Sequence, residues 1–137
     1  MPHILIVEDE LQLRRIITMN LARRGYSVAE ADGVRCAYEM ALAAWEAGYP
    51  FDGIILEIHL AQGCGWDLLR LLRESELVSA GAPLAPVITL SALPVARSRI
   101  AEFAPLATLL KPFPISALMR LIERFAGATT ATPARGA

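Results

Sequence analysis

At 137 residues, with 55% apolar side chains and a formal net charge of −1, the chain has the size and composition of one folded domain and is too apolar to be disordered. Its basic residues are scattered, with Arg14–Arg15 and Arg23–Arg24 the only pairs singled out, which argues against nucleic-acid binding, since a phosphate backbone demands a concentrated basic patch. Cys36 and Cys64 lack metal-ligand spacing and read as free, mostly packed thiols, and the opening MPHILIVEDE fits neither a signal peptide nor a membrane span, so a soluble cytoplasmic domain is expected.

Taken in order, the apolar run HILIV (3–7) reads as a buried strand. Leu13, Ile16, Ile17 and Leu21 recur at helical spacing, and Gly25 supplies a stop. YSVAEA (26–31) alternates as a second strand, and residues 33–47 read as a helix ended by Gly48 and Pro50. FDGIILEI (51–58) is a third strand, and Trp66, Leu69 and Leu72 mark a helix over 66–76. SAGAPLAP (79–86) is a loop by composition, and PVITL (86–90) a fourth strand. Ala96, Ile100, Phe103 and Ala104 mark another helical stripe before a short fifth strand, ATLL (107–110). Pro114 suits a first helical position, and Ile115, Leu118, Ile122 and Phe125 follow at helical spacing. The domain is expected to end near 126, with GATTATPARGA (127–137), which lacks periodicity, as a disordered tail or linker start.

Strands alternating with helices predict an α/β fold, a doubly wound parallel sheet covered on both faces by right-handed crossovers. In such sheets the working site lies at the carboxyl ends of the strands. Glu8 and Asp9 end the first strand, Glu57 the third, Ser91 the fourth and Lys111 the fifth, followed by Pro112. Most of these residues have an ordinary alternative reading. Asp9 with Gln12 fits a capping box, Ser91 a turn, and Lys111 before Pro112 a surface turn. Glu57 resists such a reading, because it follows three consecutive apolar residues and an unpaired buried carboxylate costs several kcal/mol. It is expected to point from the strand end into a polar cleft. Together the set suits phosphoryl handling: carboxylates for a hard cation such as Mg²⁺, a lysine and a hydroxyl for phosphoryl oxygens, and a carboxylate as acceptor.

The motifs ILIVEDE, DGIILEIHLAQGCG with Gly65, VITLSA and LLKPF resemble, in order, those of the receiver domain of bacterial two-component response regulators, over residues 3–126. The resemblance implies a flavodoxin-like receiver fold with five parallel strands in the order 2-1-3-4-5. It implies Glu57 as the phosphoacceptor equivalent, and Mg²⁺ held weakly by Glu8, Asp9, Glu57 and the backbone carbonyl of His59. Ser91, Thr108, Lys111 and Pro112 would form the phosphate site and switch, with the Lys111–Pro112 bond cis.

The chain also departs from that pattern. Typical receivers have aspartate where Glu57 stands, and the extra methylene moves the carboxylate outward by roughly 1.5 Å. Misplacement near 1 Å can cost on the order of a hundredfold in rate. Glu57 is therefore expected to be a poor acceptor and a partial mimic of the phosphorylated state, with one charge against nearly two. Leu60-Ala61 replaces Met-Pro, Glu8 stands where Asp is commoner, and Thr108 replaces the usual switch aromatic.

The expected function is a non-enzymatic, phosphorylation-independent signalling module that binds a signalling protein or sensor histidine kinase. A homodimer surface is expected on the fourth helix, fifth strand and fifth helix, with Met119 and Leu121 facing outward. Neither nucleic acid nor membrane is an expected partner. The rival reading is a phosphorylation-competent regulator accepting phosphate from a sensor histidine kinase. A more remote one is a flavodoxin-like cofactor binder, disfavoured because EDEL after the first strand repels a flavin phosphate.

Overall fold

The computed structural model describes residues 1–75, 78, 80–82 and 84–136, the last eleven by backbone only. A five-stranded parallel sheet is built from β1 (His3–Val7), β2 (Ser27–Ala31), β3 (Gly53–Glu57), β6 (Val87–Ser91) and β7 (Ala107–Leu110). Its order is β2-β1-β3-β6-β7, the predicted doubly wound order. β1, β3 and β6 are the central strands, which explains their continuous apolar runs: both faces are covered. The helices are α1 (Leu11–Arg23), α2 (Val34–Glu46), α3 (Gly65–Glu74), α4 (Arg97–Phe103) and α5 (Ile115–Gly136).

Alternation along the strands divides the core between the two faces. Ile4, Ile6, Ile55, Ile88 and Leu90 pack with Ile17 and Leu21 of α1 and with Leu118, Met119, Ile122 and Phe125 of α5. On the other face Leu5, Val7, Ile54, Leu56 and Val87 pack with Ala37 of α2, Trp66, Leu68, Leu69 and Leu72 of α3, and Phe103 of α4. Gly53 leaves room for the Phe125 ring, which a Cβ would meet at 2.4 Å.

Several expectations are corrected. Ile16 and Ile100 are exposed: Ile16 sits about 100° round α1 from the buried Ile17, whereas Ile100, about 60° round α4 from Phe103, lies on a short helix whose one buried residue is Phe103. Met119 is buried, 4% exposed, so it is a core residue and no part of an outer surface, and Leu121 packs partly against the same core. Cys36 is exposed, although both thiols are free. A small antiparallel hairpin of β4 (His59–Leu60) and β5 (Gly63–Cys64) follows β3, in a stretch too short to show a period. The backbone of α5 is helical to Gly136, over the stretch that the sequence reading gives to a tail or linker start. The end of the helix expected over 66–76 and parts of the loop expected over 79–86 involve Glu76, Ser79 and Pro83, which lie outside the described residues. Among the described residues no helix is long and apolar enough to cross a membrane.

Candidate functional site

The polar residues converge at the carboxyl ends of β1, β3, β6 and β7. Glu8 follows β1, and its backbone N–H continues the ladder by donating to Ala31 O at 3.1 Å. Its side chain is fully buried. Glu57, the last residue of β3, is also buried at 4% exposure. The polar cleft expected around it is therefore nearly closed, and what offsets the desolvation of both acids is Lys111. The Lys111 backbone N–H donates to Ser91 O at 2.7 Å, which fixes where its side chain starts. Its Nζ donates to Glu8 Oε1 at 2.8 Å and is ion-paired with Glu57 Oε1. The peptide bond from Lys111 to Pro112 is cis.

The remaining carboxylate oxygens are used locally. Glu57 Oε2 accepts from the backbone N–H of His59 at 3.1 Å, and Glu8 Oε2 from that of Glu10 at 3.2 Å. The capping-box reading of Asp9 fails: the N-cap of α1 is Glu10, with no side-chain cap bond, and Asp9 Oδ2 instead accepts from Ala61 N at 2.6 Å. Asp9 thereby ties the turn between β4 and β5 to the end of β1. Ser91 is buried, and its hydroxyl folds back on its own chain, donating to Leu93 O at 2.6 Å and accepting from Leu93 N at 3.1 Å. Thr108 is exposed on β7.

Burial raises Glu8 above the ordinary carboxyl value, and the Glu57 charge adds to this; hydrogen bonds from Lys111 and Glu10 only partly offset it. Burial acts on Lys111 in the opposite sense, but hydrogen bonds to Glu57 and Glu8 outweigh it and leave the ammonium above its ordinary value. The ammonium is therefore firmly charged between the two carboxylates.

This arrangement bears on Mg²⁺. Among the described residues no three His, Cys, Asp or Glu side chains converge as a metal site. Glu8 and Glu57 share Lys111, while Asp9 is engaged at the hairpin, so the expected trio with the His59 carbonyl is not assembled. In this arrangement the Lys111 ammonium holds the two carboxylates that a dication would need, so a dication could be held by Glu8 and Glu57 only in competition with it.

Sequence reasoning missed Arg14, whose guanidinium donates to Glu8 O at 2.8 Å and to Glu30 Oε1 at 2.9 Å, holding the backbone at the end of β1. It also missed the role of the Ala61 N–H. A basic residue on the first turn of a helix that follows an acidic strand end was the available signal for the former.

The family model for the response regulator receiver domain matches residues 4–123. The chain belongs to the response regulator receiver-domain family. It is thus a receiver of a two-component system, and such receivers interact with sensor kinases and generally bind Mg²⁺ at the phosphorylation site. It is 34% identical over 122 residues to the probable transcriptional regulatory protein SilR of Salmonella typhimurium, an alignment covering 88% of this chain and 49% of that protein. The receiver chain therefore spans about half the length of the curated relatives it matches. Its fold is similar to that of the chemotaxis protein CheY4 of Vibrio cholerae, with a TM-score of 0.77, 22% identity, and coverage of 91% of this chain and 98% of that one. It is likewise similar to the response regulator TrrA of Thermotoga maritima in complex with Mg²⁺-BeF, with a TM-score of 0.69, 24% identity, and coverage of 91% and 99%.

Proposed function

We propose that this receiver acts as a protein-interaction module, without phosphoryl transfer, and that Glu57 stands at the acceptor position. The observation that carries this reading is the direct ion pair between Glu57 and Lys111, reinforced by Glu8. The acceptor carboxylate is already neutralised and buried, and its reach differs from that of an aspartate by one methylene, roughly 1.5 Å. A nucleophile so placed is neither free nor positioned for in-line attack on phosphorus. The module is not itself an enzyme, and Mg²⁺ binds weakly because it must compete with Lys111 for Glu8 and Glu57.

The partner is a signalling protein, a sensor histidine kinase or a second copy, and the surface is the face of α4, β7 and α5. Ile100 and Leu110 are exposed there, 41% and 50% respectively, beside Thr108, and exposed apolar groups among polar ones suit a modest interface. The receiver itself contacts no nucleic acid; the transcriptional role in the names of its relatives would belong to a longer protein.

Incubation with acetyl phosphate and Mg²⁺, read by intact mass, tests the central point. The chain should gain no phosphoryl group, and Glu57→Asp should gain one, because Ser91 and Lys111 are in place. A phosphoryl adduct mapped to Glu57 would establish the rival reading, a phosphorylation-competent regulator.

A further inference from the structure

α4 has only seven residues and no side-chain N-cap bond. A helix of that length is unstable by itself, so its order must come from what it packs on. Here it is held at its carboxyl end by α3. Phe103, its last residue, stacks on Trp66 with ring centroids 5.0 Å apart and planes 10° from parallel. The Arg70 and Arg73 guanidiniums stand 5.3 Å and 4.7 Å from the Phe103 centroid. Arg73 Nη2 also donates to Glu102 O at 2.6 Å, satisfying a carbonyl of the last turn that has no partner within the helix and placing positive charge at the negative end of its dipole. Arg70 Nε and Arg99 Nη1 reach the Glu102 carboxylate at 3.7 Å and 2.8 Å. The chain then turns at Ala104 in a left-handed conformation, φ 46°.

The other end of α3 is fixed to the acid site. Gly65 N donates to Ile58 O at 2.7 Å, one residue beyond Glu57. A Cβ on Gly65 would lie 2.4 Å from Glu57 O, so the two backbones are in direct contact. Trp66 follows immediately. A shift at the end of β3 is therefore delivered to the ring that carries Phe103. On the alternative route, from the β6 hydroxyl to a side chain at position 108, no side-chain hydrogen bond joins the two among the described residues: Ser91 is bonded to Leu93, and Thr108 is exposed.

We propose that α4 is coupled to the Glu57 site through α3, by the Trp66–Phe103 stack and the Arg70 and Arg73 guanidiniums, and not through position 108. The coupling belongs to the isolated chain, so its test needs no partner, and its failure is distinct from failure of the interaction reading.

The measurement is native-state hydrogen exchange at the amides of residues 100–104, the last turn of α4 and its C-cap, with Glu57→Gln as the perturbation. Glu57→Gln should change their exchange by about threefold or more, since local opening reads small free-energy changes directly. The response should persist in Thr108→Ala and be lost in the double variant Arg70→Gln/Arg73→Gln, which removes the clamp and spares the aromatic core. Phe103→Leu should by itself accelerate the same amides about tenfold, with β1 and β3 unchanged. The proposal is overturned if Glu57→Gln leaves α4 unmoved, if Thr108→Ala abolishes the response, or if the arginine double variant transmits it in full.

Discussion

Lys111 and Glu8 are 103 residues apart in sequence and joined by a 2.8 Å hydrogen bond in the fold. The bond spans the sheet's full chain order, from the end of the first strand to the end of the last, and Glu57 on the central strand shares the same ammonium. Removing the cation leaves two buried carboxylates facing each other. Breaking a buried pair costs about 3–5 kcal/mol, but the Lys111 side chain keeps 21% of its surface in water, which reduces the figure. Lys111→Met should therefore destabilise the chain by about 2 kcal/mol in urea denaturation. A loss below about 0.5 kcal/mol, the scale of a surface pair, would show that the triad contributes little.

The same group sets the alkaline limit. Lys111 is raised above its ordinary 10.5 by its two carboxylates, which outweigh its burial. The folded state thus holds this proton more tightly than the unfolded state, so its contribution is full below 10.5 and lost as pH rises through the folded value. Tyr26, raised above 10.0 by burial and then by Glu123, adds a loss of the same sign. Glu8 is raised above 4.5 by burial, so stability also falls as pH climbs from 4.5 through its folded value. Thermal unfolding against pH should show both declines. Glu8→Gln should remove the acid-side one, Tyr26→Phe should isolate the lysine on the alkaline side, and an alkaline decline unaltered in Lys111→Met would refute the assignment.

The parts of this site that could be read from the sequence are those that depend on position along one strand. Glu57 stood out because it follows Ile54, Ile55 and Leu56, and strand ends at Glu8, Ser91 and Lys111 followed from apolar runs that stop. That the lysine meets both Glu8 and Glu57 depends on sheet order and side-chain reach, and no local spacing encodes it. Asp9 shows the same limit: its capping-box pattern was real, but a 2.6 Å bond to Ala61 N, 52 residues away, prevails. The clamp of Arg70 and Arg73 on Phe103 was equally hidden, since each residue has an ordinary reading on its own helix. Periodicity located α5 correctly over Ile115, Leu118, Ile122 and Phe125 but misjudged Met119, because a helix packed across a wide sheet buries a broader stripe than four positions.

Gly65 is the tightest point between the acid site and α3. A Cβ there would sit 2.4 Å from Glu57 O and 3.0 Å from Ile58 Cα, both backbone atoms that cannot swing away. Gly65→Ala should cost about 2 kcal/mol or more, in the range of core overpacking, and shift the Trp66 emission. Wild-type stability and emission in that variant would mean that the contact relaxes freely.

With Met119 in the core, the interface on α4, β7 and α5 is tested at Leu110. Leu110→Glu places a charge on an exposed position and should leave folding within about 0.5 kcal/mol of the parent. Self-association in sedimentation, or capture of a cognate kinase, should fall at least about tenfold if this face carries the contact, since desolvating a new charge is costly. Undiminished association and capture would place the interface elsewhere.

Competition between Lys111 and a divalent cation gives the last prediction. Mg²⁺ prefers near-octahedral oxygen ligands and gives up its waters reluctantly. To gain Glu8 and Glu57 it must displace an ammonium already bonded to both, and Asp9 offers only Oδ1 unless its bond from Ala61 N to Oδ2 is broken. The parent chain should show only weak, non-saturating NMR shifts at these residues up to about 10 mM Mg²⁺. In Lys111→Met the carboxylates lose their counter-charge and repel, so the same titration should saturate and the apparent affinity rise by about tenfold. Mg²⁺ should also recover part of the stability lost in that variant, because a ligand that binds only the folded state stabilises it. Equal affinity in the two chains would show that Lys111 and Mg²⁺ do not compete, and that the cation site lies apart from the triad.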